Sequence, residues 1–416
     1  MKRSFFAVVF MSLLLPVFVF GQTEDQPEDK KRVRVIVSDG TAPAPSPTPS
    51  KILIISNGDK EEAPVASSAT ILPPPKPKSL RMGELQQSMN EAKRRMAGMP
   101  LRISMNDEEQ TTEIVRVAFY DWDSKQVDYV VVLKTMFLDP NSEALVRSEA
   151  GKSLRLKTIR GNGVNTPIML IDSSNKTHLP LIVQYPVERD GKFLEMSYYV
   201  STHPGLVTPE TVNAGRLYVR NVLNTARTKL REKGIFIQPK VADIAERLAL
   251  VEHVDHWRFR NEFHGAIYND VYMLYALNQS QTYRYSVSSA GAGGMVQMIP
   301  WTYRMLRSRY FQVGLMPDFV EGMRNHVNAA QAMLLYMQMT WNDLASNSTV
   351  YKAMENGWAS QEQLMAAGYN SNPAKLAGYI RRGGSGWTRL IPRETRIYLE
   401  IFSSVEKYVP LNPRTN

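Results

Sequence analysis

Residues Tyr285 to Tyr303 read YSVSSAGAGGMVQMIPWTY, and this stretch decides the fold expected for the C-terminal half of the chain. Small residues crowd its first half: Ser286, Ser288, Ser289, Ala290, Gly291, Ala292, Gly293 and Gly294. Such residues let a backbone approach a ligand closely, and glycine opens positive φ. An apolar run, Met295 to Ile299, follows and closes at Pro300. It is interrupted only by Gln297, an amide that either faces water or carries a donor and an acceptor into a cleft.

Three further segments follow in order. Asn328 to Met337 reads NAAQAMLLYM, Ala367 to Pro373 reads AGYNSNP, and Ile391 to Tyr398 reads IPRETRIY. Together with the small-residue stretch they resemble the soluble lytic transglycosylases, lysozyme-like enzymes that cut the glycan strands of peptidoglycan. The core motif of that family runs roughly Ala-Val-Ser-x-x-Gly-Ala-x-Gly-Leu-Met-Gln-x-x-Pro-x-Thr. Ser288, Gly291, Ala292, Gly294, Gln297, Pro300 and Thr302 fall in register with it, and Met295-Val296 stands for Leu-Met. The four segments span roughly residues 241–402. The resemblance implies an all-α lysozyme-like domain, peptidoglycan glycan strands as partner, and neither cofactor nor metal. It also implies sugar contacts from Ser288, Gly291, Met295, Gln297, Tyr369 and Asn370. Tyr369 and Asn370 offer a ring for stacking and an amide for hydrogen bonding.

One position departs from the pattern. The family places a catalytic Glu, followed by Ser, about a dozen residues before the Gly-Ala pair, and here Gln279-Ser280 stands there. Glutamine has no proton to give a leaving alcohol. The reaction needs a carboxyl that is protonated near neutral pH. The best candidate is Glu252, in LALVEHVDH (residues 248–256), at the end of a helix whose apolar face carries Ile244, Leu248 and Val251. Apolar neighbours and a helix C-terminus both disfavour its charged form. Glu262, Asp270 and Glu394 are weaker candidates. A metal on Glu252 and His253 is disfavoured, because adjacent helical residues diverge by about 100°. Two readings stay open: a transglycosylase with Glu252 as its single acid and base, or a degenerate domain that binds glycan or serves as an envelope scaffold.

The rest of the chain frames this domain. Lys2-Arg3 and an apolar run to Phe20 read as an export signal over residues 1–21, implying the periplasm or cell envelope of a bacterium. TAPAPSPTPS (41–50) and ILPPPKPK (71–78) mark 22–78 as a disordered Pro-rich tether. Residues 79–205 read as a helix, 79–99, followed by a small antiparallel β domain. Its strands are expected at 113–120, 128–133, 153–159, 168–171, 179–185 and 193–200. Its function is not legible, and an envelope protein is its possible partner. His178 and His203 look too isolated in sequence for a metal site. Thr208-Pro209-Glu210 opens a connecting helix within 206–238, with Leu217 on its apolar stripe. The expected class is therefore α+β: tether, antiparallel β domain, then an all-α lysozyme-like domain over 239–416. A net charge of +10 suits an anionic partner. With an export signal, nucleic acid is set aside. The chain has no cysteine, which excludes disulfides and a lipid-modified cysteine anchor.

Overall fold

The computed structural model describes residues 77–102 and 111–415. The expected signal segment and nearly all of the expected tether lie outside the described residues. Helix α1 (Met82–Ala97) lies on the sheet with Leu85, Met89, Ala92 and Met96 buried, the stripe its spacing predicts. Seven strands follow: β1 (Ile114–Asp121), β2 (Gln126–Leu133), β3 (Glu143–Arg147), β4 (Ser153–Thr158), β5 (Ile168–Asp172), β6 (Thr177–Arg189) and β7 (Lys192–Tyr199). All pair antiparallel in the order β2-β1-β6-β5-β4-β3, with β7 also on β6. The class is α+β, as expected.

β6 organises the sheet. Its first two residues pair with β5, residues 179–184 with β1, and 183–189 with β7. Pro180 has no N–H to donate, and the β1–β6 register shifts beside it, between Ala118 and Phe119. Two elements were not anticipated, β3 and the short helix α2 (Lys134–Leu138). Both are five residues long, and β3 exposes Leu145, so neither repeats long enough to declare a period.

The helical part begins at α3 (Pro209–Glu232), where the Thr208 hydroxyl accepts from the Thr211 N–H and Pro209 takes the first turn. It continues with α4 (Pro239–Val251), α5 (His256–Asn261), α6 (His264–Asn278) and α7 (Pro300–Arg309). Then come α8 (Phe319–Arg324), α9 (His326–Ala345), α10 (Ser348–Glu355), α11 (Gln361–Asn370), α12 (Leu376–Gly383) and α13 (Arg393–Tyr408). The helix expected as a connector is part of this body: α3 packs on α6, α9 and α4. Gly215 makes the closest approach, since a Cβ there would lie 1.9 Å from the Tyr272 carbonyl oxygen of α6. Leu217 is 60% exposed, off the stripe it was expected to join. It sits between the inward positions of Gly215 and Val219, about 100° from its neighbours round the helix. Among the described residues no helix is long and apolar enough to cross a membrane.

The sheet and the helices meet at a polar seam. The Asn278 side chain closes on Val200, accepting from its N–H and donating to its carbonyl, both at 2.8 Å. Glu195 of β7 takes Arg284 at 2.9 Å and Arg324 at 3.0 Å. Beside the seam, His326 accepts from the Tyr218 hydroxyl at Nδ1 and donates from Nε2 to the Thr282 carbonyl, both 2.8 Å. Burial pushes its pKa down to about 4.

Candidate functional site

The small-residue stretch folds as a compact loop that enters α7 at Pro300. Short antiparallel bridges join Val287 to Gly293 and Gly293 to Met298. Ser288 ties the turn: its hydroxyl accepts from the Ala292 N–H at 3.0 Å, and its own N–H donates to the Ala292 carbonyl at 2.8 Å. Gly291 and Gly294 have φ of +74° and +70°. At Gly294 an added Cβ would also stand 2.6 Å from the Met323 carbonyl oxygen, so glycine is required there on both counts. Gln297 has φ +46°, and its amide nitrogen donates to the Gly294 carbonyl at 2.9 Å and to Ser286 at 3.3 Å. Ser288 and Gln297, expected at the sugar, thus use these atoms to hold the loop's shape. Met295, also expected there, is fully buried. The apolar run turns this side chain into the core and leaves only its backbone to act.

Two elements grip the loop. His253, just after α4, faces the Met295 carbonyl with Nε2 at 2.9 Å, and its ring stacks on Tyr283 with centres 3.4 Å apart. Tyr369 of α11 donates its hydroxyl to the Val296 carbonyl at 2.6 Å. Burial, and then the nearby Glu252 charge, push the Tyr369 hydroxyl well above the ordinary tyrosine range. Glu252 itself caps the C-terminal end of α4, is 9% exposed, and accepts from the Tyr398 hydroxyl of α13 at 2.6 Å. Asn370 accepts from the Thr395 hydroxyl at 2.9 Å, which joins α11 to the first turn of α13. One carboxyl, two tyrosines and the loop backbone therefore meet where the ends of α4 and α11 approach α13.

The other acids are placed differently. Gln279 is exposed at the end of α6 with φ +42°, while its neighbour Asn278 holds the seam. Glu262 and Asp270 both close on Arg258 at 2.7 Å. Glu394 sits in the first turn of α13, where a carboxylate suits the helix dipole. His253 faces a carbonyl, and Asp255 caps α5 through the N–H groups of Trp257 and Arg258, so the Glu-His-x-Asp segment spreads its side chains over separate tasks. Two surface grooves, one along Phe236, Lys240, Glu362 and Arg414 and one along Leu80, Met82, Pro204 and Thr208, share no lining residue with this cluster.

Sequence reasoning missed three features. Tyr398 was visible only as the last residue of IPRETRIY, with nothing to mark its hydroxyl as the partner of Glu252. The Tyr283 stack left no signal. His178 is not isolated, because strand register buries it between Asp121 at 3.0 Å and Asp172 at 3.2 Å. Asp121, Asp123 and His178 approach closely enough to share an ion. Lys152 lies at 2.6 Å from Asp121 and 2.7 Å from Asp123, and Lys176 also pairs with Asp123. The ammonium groups supply the positive charge that the carboxylates require, and they hold Asp123 far below the usual carboxylate range. The cluster fits an ion-pair network at the end of the sheet, with Asp121, Asp172 and His178 buried and Asp123 exposed.

No protein-family model matches the chain, and no curated protein or solved structure does either.

Proposed function

We propose that the protein is an exported peptidoglycan lytic transglycosylase that breaks the bond between N-acetylmuramic acid and N-acetylglucosamine, with Glu252 as acid and then base. The observation that carries this reading is a buried carboxyl at a helix end, bound by the Tyr398 hydroxyl and beside Tyr369, whose own hydroxyl holds the glycine-rich loop. In the proposed reaction the Glu252 carboxyl protonates the glycosidic oxygen as the C1–O bond breaks. The carboxylate left behind then removes the proton of the muramic 6-hydroxyl as that oxygen closes onto C1. The sugar supplies its own nucleophile, so one carboxyl suffices where glycoside hydrolases use two. The Tyr398 hydroxyl orients the carboxyl.

The test is release of anhydro-muropeptides from purified sacculi. Glu252→Gln keeps the shape and a hydrogen-bonding oxygen but has no proton to transfer, so turnover should fall by about 10²–10⁴-fold with binding retained. Equal turnover by wild type and Glu252→Gln would remove Glu252 from the mechanism. The exposed Gln279 at the family's acid position favours a second reading, a glycan-binding protein without turnover. Binding by wild type without release of product would support it.

A further inference from the structure

Between Arg381 and Arg396 the chain carries five arginines, Arg381, Arg382, Arg389, Arg393 and Arg396, against one acid, Glu394. All five are exposed, and among the described residues no ion pair engages any of them. Several other arginines of the helical part are paired: Arg258, Arg284, Arg324 and Arg414 each close on a carboxylate within 3.0 Å. The exposed five thus form a basic rim; Arg382 spends one donor on the Gly378 carbonyl at 3.3 Å and lies over the Tyr379 ring, and no carboxylate among the described residues neutralises the others.

The rim is held on a firm base. Trp387 is buried and donates from its indole to the Trp358 carbonyl at 3.0 Å, and Ile391 is buried behind it. Gly384, with φ +51°, makes the turn against the Trp358 ring. The rim also shares a helix with the candidate site, on its exposed side. Arg393 and Arg396 share the first turns of α13 with Thr395, which donates to Asn370, and Tyr398, which donates to Glu252.

We propose that this arginine rim recognises the carboxylates of the peptide stems carried by the glycan strand. The inference rests on the transglycosylase reading for the identity of the strand and adds which form of it is bound: peptide-bearing strands, not bare glycan. The planar guanidinium fork matches a carboxylate with two parallel hydrogen bonds. A membrane surface is the competing anionic partner. The shared helix α13, which also reaches Glu252 and Asn370, favours the polymer.

The experiment uses full-length Arg389→Gln/Arg393→Gln/Arg396→Gln beside wild type and Glu252→Gln. Three polymers or surfaces are offered: soluble peptide-bearing strands, the same strands stripped of peptide by an amidase, and vesicles containing anionic phospholipid. Wild type should bind peptide-bearing strands more tightly than stripped ones. The triple variant should lose about tenfold on the peptide-bearing strands, the size that three exposed charge contacts supply, and little on the stripped ones. The difference should shrink as salt rises. Equal loss on both strands, or no loss on either, overturns the proposal. So does an arginine-dependent affinity confined to vesicles. Arginine-dependent binding in a wild type that releases no product would uphold this inference while the catalytic reading fails. Absence of binding to either strand would overturn both.

Discussion

Asn278 offers the sharpest test of how the sheet is joined to the helices. Its amide satisfies both backbone groups of Val200 at 2.8 Å, and both residues are buried, Asn278 at 7% and Val200 at 2% exposure. Asn278→Leu keeps similar volume and removes both partners. Each buried backbone group left unpaired costs about 1–3 kcal/mol, so the loss should be roughly 2–6 kcal/mol. Asn278→Asp adds a control that depends on pH. Its carboxylate still accepts from the Val200 N–H, but its second oxygen faces the Val200 carbonyl as one acceptor against another. Burial and this repulsion raise the folded pKa of the new carboxyl above its unfolded value of about 3.9. Its neutral form can donate to the carbonyl as asparagine does. The folded state therefore holds the proton more tightly than the unfolded state. The penalty should be full above the folded pKa and should shrink as pH falls toward the unfolded one. Urea unfolding followed by tryptophan fluorescence and far-UV circular dichroism at several pH values measures both variants against wild type. An Asn278→Leu loss below about 0.5 kcal/mol, or an Asn278→Asp penalty that does not change between pH 7 and pH 4, would refute the reasoning.

Other perturbations follow from the same geometry. Gly294→Ala should destabilise by about 2 kcal/mol or more, because φ is +70° and the new Cβ would stand 2.6 Å from the Met323 carbonyl; thermal unfolding that matches wild type would contradict the close approach. Tyr398→Phe removes a hydrogen bond to a carboxyl group, worth about 1.5–3 kcal/mol when charged, and should lower both stability and turnover on sacculi; a variant unchanged in both would leave Glu252 without a positioning partner. His326 has its pKa pushed down to about 4 by burial, so the unfolded chain binds a proton more readily between its own pKa of about 6.5 and that value. Stability from this group is present above about pH 6.5 and should be lost as pH falls toward 4, by on the order of 2–3 kcal/mol. A His326→Gln variant should show a flatter profile across that range, and an equally steep one would assign the acid sensitivity elsewhere.

Much of the architecture was legible because its signals are local. The Thr208-Pro209 start and the Leu85/Met89/Ala92/Met96 stripe each depend on residues a few positions apart, whereas the alternation read in β1 is not seen, since that central strand is buried on both faces. The α+β order followed from those periods read in sequence, and the Gly291 and Gly294 turns follow from the residue type that positive φ prefers. What only the tertiary structure decided lies between residues far apart along the chain. Strand register brings His178 to Asp121 and Asp172, and helix packing carries Tyr398 to Glu252 across 146 positions. The Met295 side chain goes inward while its carbonyl faces His253, a division no composition can announce. The same packing leaves the five arginines of residues 381–396 exposed. Such partners are chosen by the path of the backbone in space, because a side chain's contacts depend on where distant elements come to rest, and local propensity carries no record of that.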